Sequence, residues 1–158
     1  MKTIFVLTAT LLSLAVFSQD TEKVKQIDSL VALINNSGFK IQRDTIKQDR
    51  QDLGFSMQTY LTMLTNGKEI KKYVNNVHMT RMENGVSKQM IMENAFYYDQ
   101  NKLIKVEEYG IKDDKKTEIN WYYSNDKPVY NTSKTGDAQE RADMLLTISK
   151  SMLGKVKL

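Results

Sequence analysis

The chemistry open to this chain begins with a single histidine. His78 is the only one in 158 residues, and there is no cysteine. A Ser–His–Asp relay would have to use His78, yet no Gly-x-Ser-x-Gly turn accompanies it. Thiolate metal sites, disulfides and zinc sites built on two histidines are excluded by composition. Carboxylates fall in adjacent pairs, Glu107-Glu108 and Asp113-Asp114. Neighbours on a strand point to opposite faces, so Glu107 and Glu108 cannot oppose each other across a cleft. Glu93 and Glu108 are the pair that hairpin pairing could bring within the roughly 5–9 Å of a glycosidase. Asp113-Asp114-Lys115-Lys116 lacks the alternating ligands and glycine of a calcium loop and reads as a hairpin turn. The seven glycines are scattered, so no phosphate-binding loop can be written. No catalytic residue, metal or cofactor is expected.

The other chemistry-bearing residues are aromatic. Phe96-Tyr97-Tyr98-Asp99-Gln100-Asn101-Lys102-Leu103-Ile104 aligns with Trp121-Tyr122-Tyr123-Ser124-Asn125-Asp126-Lys127-Pro128-Val129, 25 positions later. Each copy reads as an aromatic strand end, a polar turn and a returning strand. Alternation puts Met90, Met92, Phe96, Tyr98, Ile119, Trp121 and Tyr123 on one face. It puts Ile91, Ala95, Tyr97, Ile104, Val106, Tyr122 and Val129 on the other. Antiparallel sheets with one wet face are polar on that side. Both faces must therefore be covered by helices, or one remains open as a contact surface. In the open case Tyr97, Ile104, Tyr122 and Val129 are the candidate binding residues.

The elements that position these residues follow from periodicity. Val24, Ile27, Val31 and Ile34, with Leu30 and Leu33 beside them, predict a helix over Thr21–Asn35 with Asp20 as N-cap. A short strand is expected within Phe39–Ile46. Phe55, Met57, Thr59, Leu61 and Met63 alternate as a half-buried strand. Asn66-Gly67 predicts a two-residue hairpin pairing Thr65 with Lys68, Met63 with Ile70 and Thr59 with Val74. Asn84-Gly85 pairs Glu83 with Val86, Met79 with Met90 and Val77 with Met92. The two registers conflict, because Val74 and Val77 cannot share a face. A β-bulge near Asn75-Asn76 would reconcile them and turn His78 outward. Asp137 and Glu140 open a last helix, with Ala142, Leu145, Ile148 and Met152 as its stripe, flanked by Leu146 and Leu153. The class is α+β: an N-terminal helix, an antiparallel meander of six or seven strands and a C-terminal helix.

Bulk composition sets the outer bounds. Residues 1–18 carry one lysine, an apolar run from Ile4 to Val16 and small residues at Val16 and Ser18, the pattern of a cleaved secretory signal. That run is shorter than the roughly 20 residues a spanning helix needs. The mature chain, residues 19–158, reads as one extracytoplasmic domain, periplasmic or secreted, with no membrane span. The net charge of +4 is spread along the chain, with no basic stripe for nucleic acid. Eight of the nine methionines follow the signal, and Met57, Met63, Met90 and Met92 fall on the inner face.

The Phe17-Ser18-Gln19 junction is similar to signals of secreted Bacteroidota proteins. Tyr97-Tyr98-Asp99-Gln100-Asn101-Lys102-Leu103-Ile104 and Trp121-Tyr122-Tyr123-Ser124-Asn125-Asp126-Lys127 resemble the MORN-like "YYDNGKL" hairpin repeats of small extracytoplasmic bacterial proteins. The resemblance covers about a quarter of the chain; neither copy has the turn glycine, and Pro128 departs from the pattern. It implies a surface-presenting sheet and carries no catalytic residue. The expectation is a non-enzymatic binding module that uses one sheet face for a partner protein. The alternative is a carrier with an apolar ligand under a curled sheet, and a carboxylate hydrolase using Glu93 and Glu108 is a third reading.

Overall fold

A computed structural model describes residues 21–50, 54–112 and 115–155. The predicted signal, the Asp20 cap and the Asp113-Asp114 turn lie outside the described residues. Helix α1 covers residues 21–36. Seven strands follow: β1 (Lys40–Arg50), β2 (Phe55–Thr65), β3 (Ile70–Glu83), β4 (Val86–Asp99), β5 (Lys102–Lys112), β6 (Lys115–Ser124) and β7 (Lys127–Asn131). Helix α2 (Ala138–Lys155) closes the order. The strands form one sheet in chain order, each antiparallel to the next, so the α+β meander holds with seven strands. β1 runs beyond the short strand expected there; all eleven of its residues are exposed, which removes the alternation that would have marked its length.

The helices pack on opposite faces of the same half of the sheet. Ile27, Val31 and Ile34 of α1 bury Ala95, Tyr97, Ile104 and Tyr122. Ala142 and Leu145 of α2 bury Ile70, Phe96, Tyr98, Leu103, Val106, Trp121 and Tyr123. Each helix has a narrower apolar stripe than its sequence suggests. Leu33 and Leu30 of α1 are exposed, as is Ile148 of α2, whereas Ser149 is buried and donates to the Tyr98 hydroxyl at 3.3 Å. The α2 stripe is therefore 142, 145, 149 and 152, because a step of four keeps the contact line where a step of three to Ile148 leaves it.

Turn chemistry sets the register. Asn84 and Gly85 have positive φ, as a type I′ turn requires, and Glu83↔Val86, Met79↔Met90 and Val77↔Met92 pair as expected. Gln100-Asn101 and Asn125-Asp126 adopt the same positive-φ pair, so these two turns are alike. Asn66-Gly67 differs from expectation. The Asn66 side chain accepts the Lys68 and Glu69 N–H groups, opening the turn to four residues. Thr65 then faces Ile70 and Leu64 faces Lys72, so the extra residue is Lys71 and not one near Asn75-Asn76. Past that bulge the ladder runs unbroken through Asn75 and Asn76, with Thr59 opposite Val77.

The same irregularity recurs on the other returning strands. Ile104 is extra between Tyr97↔Lys105 and Tyr98↔Leu103, and Val129 is extra between Tyr122↔Tyr130 and Tyr123↔Pro128. A bulge puts two successive residues on one face. Ile104 and Lys105 consequently both face α1. Val106, expected beside Ile104, instead joins the α2 cluster.

Candidate functional site

Two regions carry unusual chemistry, and the bulges create the first. Tyr97, Ile104, Tyr122 and Val129 come together as expected, but on the face that α1 covers. Tyr97, Ile104 and Tyr122 are buried and Val129 is half-buried against that cluster. Their apolar parts hold the helix, and their polar ends join a charged seam at its edge. Lys105 Nζ lies 2.9 Å from both Asp28 of α1 and Glu107, and 5.0 Å from the Tyr122 ring centroid. Tyr122 donates to Asp28 at 3.1 Å, and Tyr97 donates to Glu107 at 2.8 Å. Lys72 donates to Asn35 of α1 at 2.9 Å and stands 4.7 Å above the Tyr97 ring.

Electrostatics within the seam favour a static clamp. Burial pulls the Lys105 ammonium down, but hydrogen bonds to Glu107 and Asp28 outweigh it, so its pKa is raised overall. Burial also raises the Tyr97 and Tyr122 phenols above their ordinary range. A lysine held charged and tyrosines held neutral suit binding of α1, whereas a general base needs a pKa near the working pH. Burial lowers Lys72, with Glu107 and Glu93 opposing the shift.

The second region is the other half of the sheet. β3 and β4 each have 14 residues, about 46 Å of strand at ~3.3 Å per residue. An 18-residue helix such as α2 is about 27 Å long at 1.5 Å per residue. The strands outrun the helices. Along β4, burial rises from exposed at Val86 to buried at Ala95–Tyr98. On the α2 side of this distal half, the registers align Ile46, Thr59, Val77 and Met92 in one row. Met57, Met79 and Met90 form the next. None of these seven belongs to either helix cluster. Arg81, Lys88, Lys112 and Lys115 border them, with Glu83 paired to Lys88 at 2.8 Å.

A depression of about 520 Å³, open to solvent, lies in this half, lined by Met90, Ile91, Met92, Gly110, Ile111, Lys112, Lys115 and Thr117. Gly110 keeps its floor low: a Cβ there would come within 2.9 Å of Thr117 Oγ1. At the border with the covered half, the Asn75 Oδ1 atom is buried with no donor among the described residues.

The candidate catalytic groups do not assemble. Glu108 faces Asn94 and Glu93 faces Tyr109, so the two carboxylates lie on opposite sides of the sheet. Glu93 accepts from Asn76 at 2.7 Å. Glu108 accepts Trp121 Nε1 at 2.7 Å and the Arg141 guanidinium, tying α2 down. His78 points outward, edge-on to Tyr60 at 5.3 Å between centroids. Among the described residues no group of three or more His, Asp or Glu is placed to hold a metal, and no helix is long and apolar enough to cross a membrane. Sequence reasoning missed Asp28, Asn35 and Lys105 as one cluster; Asp28 on an otherwise apolar helix border was the available signal. The chain matches no protein-family model, curated protein or solved structure.

Proposed function

We propose that this protein is an extracytoplasmic, non-enzymatic binding module that docks a partner protein on the α2-side face of the distal half-sheet. The supporting observation is the row pair Ile46, Val77, Met92 and Met57, Met79, Met90, which lies outside the clusters of both described helices. Methionine side chains are flexible and polarizable and adapt to irregular partner surfaces. The basic rim of Arg81, Lys88, Lys112 and Lys115 selects a partner segment that is apolar with acidic flanks. The site differs from the expected one: α1 occupies the Tyr97–Tyr122 face, so binding moves along the strands and to the opposite side.

A photo-crosslinking residue placed at Met79 or Met92 in the native host tests the reading. One discrete protein adduct at both positions, and none at His78 on the opposite face, is the expected result. Equal adducts on both faces, or none at either methionine, sink it. The carrier reading rests on the depression at Gly110, whose volume is in the small-molecule range. Native mass spectrometry separates the two, because a carrier retains an adduct of small-molecule mass that Gly110→Val removes.

A further inference from the structure

The two edges of the sheet are built differently. β7 has five residues, contains Pro128, and gives way to a loop in which Thr132 N–H donates to Asn120. Short length and proline are the usual devices that stop another strand from adding to an edge. β1 has neither device. It is eleven residues long, without proline, and exposed along its whole length, including Ile41 and Ile46. Among the described residues, β1 is an end strand of the sheet and no further strand pairs with its outer side. The remaining protection against strand addition is charge, carried by Lys40, Arg43, Asp44, Lys47, Asp49 and Arg50.

Those charges discriminate between registers. Two copies of β1 joined edge to edge by a two-fold axis normal to the sheet keep their faces matched, so each residue meets one of its own parity. An axis at Arg43, Asp44 or Lys47 sets that charge against its own copy. An axis at Thr45 sets Arg43 against Lys47 and Lys40 against Arg50. An axis at Ile46 sets Arg43 against Asp49 twice, Asp44 against Gln48, Thr45 against Lys47, Gln42 against Arg50, and Ile46 against itself. Among registers overlapping more than half the strand, this one alone avoids opposed like charges.

We infer that the protein forms a symmetric dimer by antiparallel pairing of β1 with β1 of a second copy, centred on Ile46. The two sheets become one continuous sheet. Because Ile46, Thr59, Val77 and Met92 share a row, the contact joins the uncovered bands of both copies into one. The dimer does not depend on the proposed partner, since its ladder and charge pairs lie on the edge and not on the methionine face.

Sedimentation equilibrium of the purified protein and three charge variants is the test. The wild type is expected at twice the monomer mass. Asp49→Arg and Arg43→Asp, each at an exposed position whose β2 neighbour is uncharged, weaken association by more than about tenfold, because both pairs become repulsive. An equimolar mixture of the two variants restores a heterodimer, in which every reversed charge meets its opposite. The double variant Arg43→Asp/Asp49→Arg restores the homodimer. A wild type that stays monomeric at all concentrations overturns the inference. So does a dimer indifferent to both single reversals, or a mixture that fails to re-associate.

Discussion

The same strands behave differently at their two ends. β4 begins at Val86 with four exposed residues and finishes with Ala95, Phe96, Tyr97 and Tyr98 buried. At the buried end each face has a helix; at the other, neither described helix lies on either face. The residues differ accordingly. The covered half is packed with Trp and Tyr, whose polar tips are engaged by Asp28, Glu107, Glu108, Ser149 and the Ala142 carbonyl. The uncovered half carries methionines, which pack loosely and have no polar tip to satisfy. On the proposed reading, one half serves a unique internal fit and the other an external one. Stability should therefore reside in the first and binding in the second.

The largest effect that could break this contrast is in the covered core. Trp121 is 2% exposed, between Phe96, Val106 and α2. Trp121→Ala should cost about 3–5 kcal/mol, from lost transfer energy plus the cavity left behind. It also leaves Glu108 with Arg141 alone. Met79→Ala, on a strand of the same sheet but outside both clusters, should cost under about 1 kcal/mol. Urea unfolding of the two variants measures the contrast, and comparable midpoints would erase it.

Within the covered half, the two helices can be separated. α1 depends on the Lys105 seam and α2 on the Glu108–Arg141 pair. Lys105→Met leaves Asp28 and Glu107 without their shared cation. Both carboxylates keep partial access to water, at 45% and 34% side-chain exposure, so the cost should be about 1–3 kcal/mol, below that of a fully buried orphan. Hydrogen exchange should show the loss confined to α1, with α2 unchanged. Equal deprotection of both helices would mean that they fold as one unit.

Alkali provides a third comparison, because the tyrosines are concentrated in the covered half. Burial pushes the Tyr98 phenol up to about 12, and raises Tyr97 and Tyr123 as well. A folded pKa above the unfolded value of about 10 leaves stability intact below pH 10. The contribution is then lost as pH rises through the folded value. For Tyr98 the loss is roughly 2–3 kcal/mol between pH 10 and 12. Unfolding free energy should be level from neutral pH to about 10 and then fall, and Tyr98→Phe should make that fall shallower. An identical alkaline slope in the variant would mean that Tyr98 is not what titrates.

What could be read from the residues divides along the same line. The Asn84-Gly85 register and the Ile27–Val31–Ile34 stripe were legible because each depends on neighbours in sequence. Val106 was misassigned, because the bulge at Ile104 is imposed by strand pairing and packing and leaves no local mark. Asn66-Gly67 has the same dipeptide signal as Asn84-Gly85, yet its side chain captures two N–H groups and lengthens the turn. Which face stays open was illegible for a stronger reason. An apolar row reads alike whether a helix of the same chain covers it, as at Tyr97 and Tyr122, or a partner would, as at Met79 and Met92.

The smallest expected stability effect bears most directly on function. Met79→Ser and Met90→Ser each remove apolar surface that water already reaches in part. Each should shift unfolding by less than about 1 kcal/mol, since little burial is lost. A face retained for packing would be harmed by the double change, and a face retained for a partner would not. An exposed apolar band carries an association liability for a monomer, so its removal should also raise solubility. A double variant that unfolds at the wild-type midpoint but no longer forms the Met92 crosslink therefore places the two halves in different roles. A double variant that loses several kcal/mol would instead make the distal methionines part of the core, and the contrast between the halves would disappear.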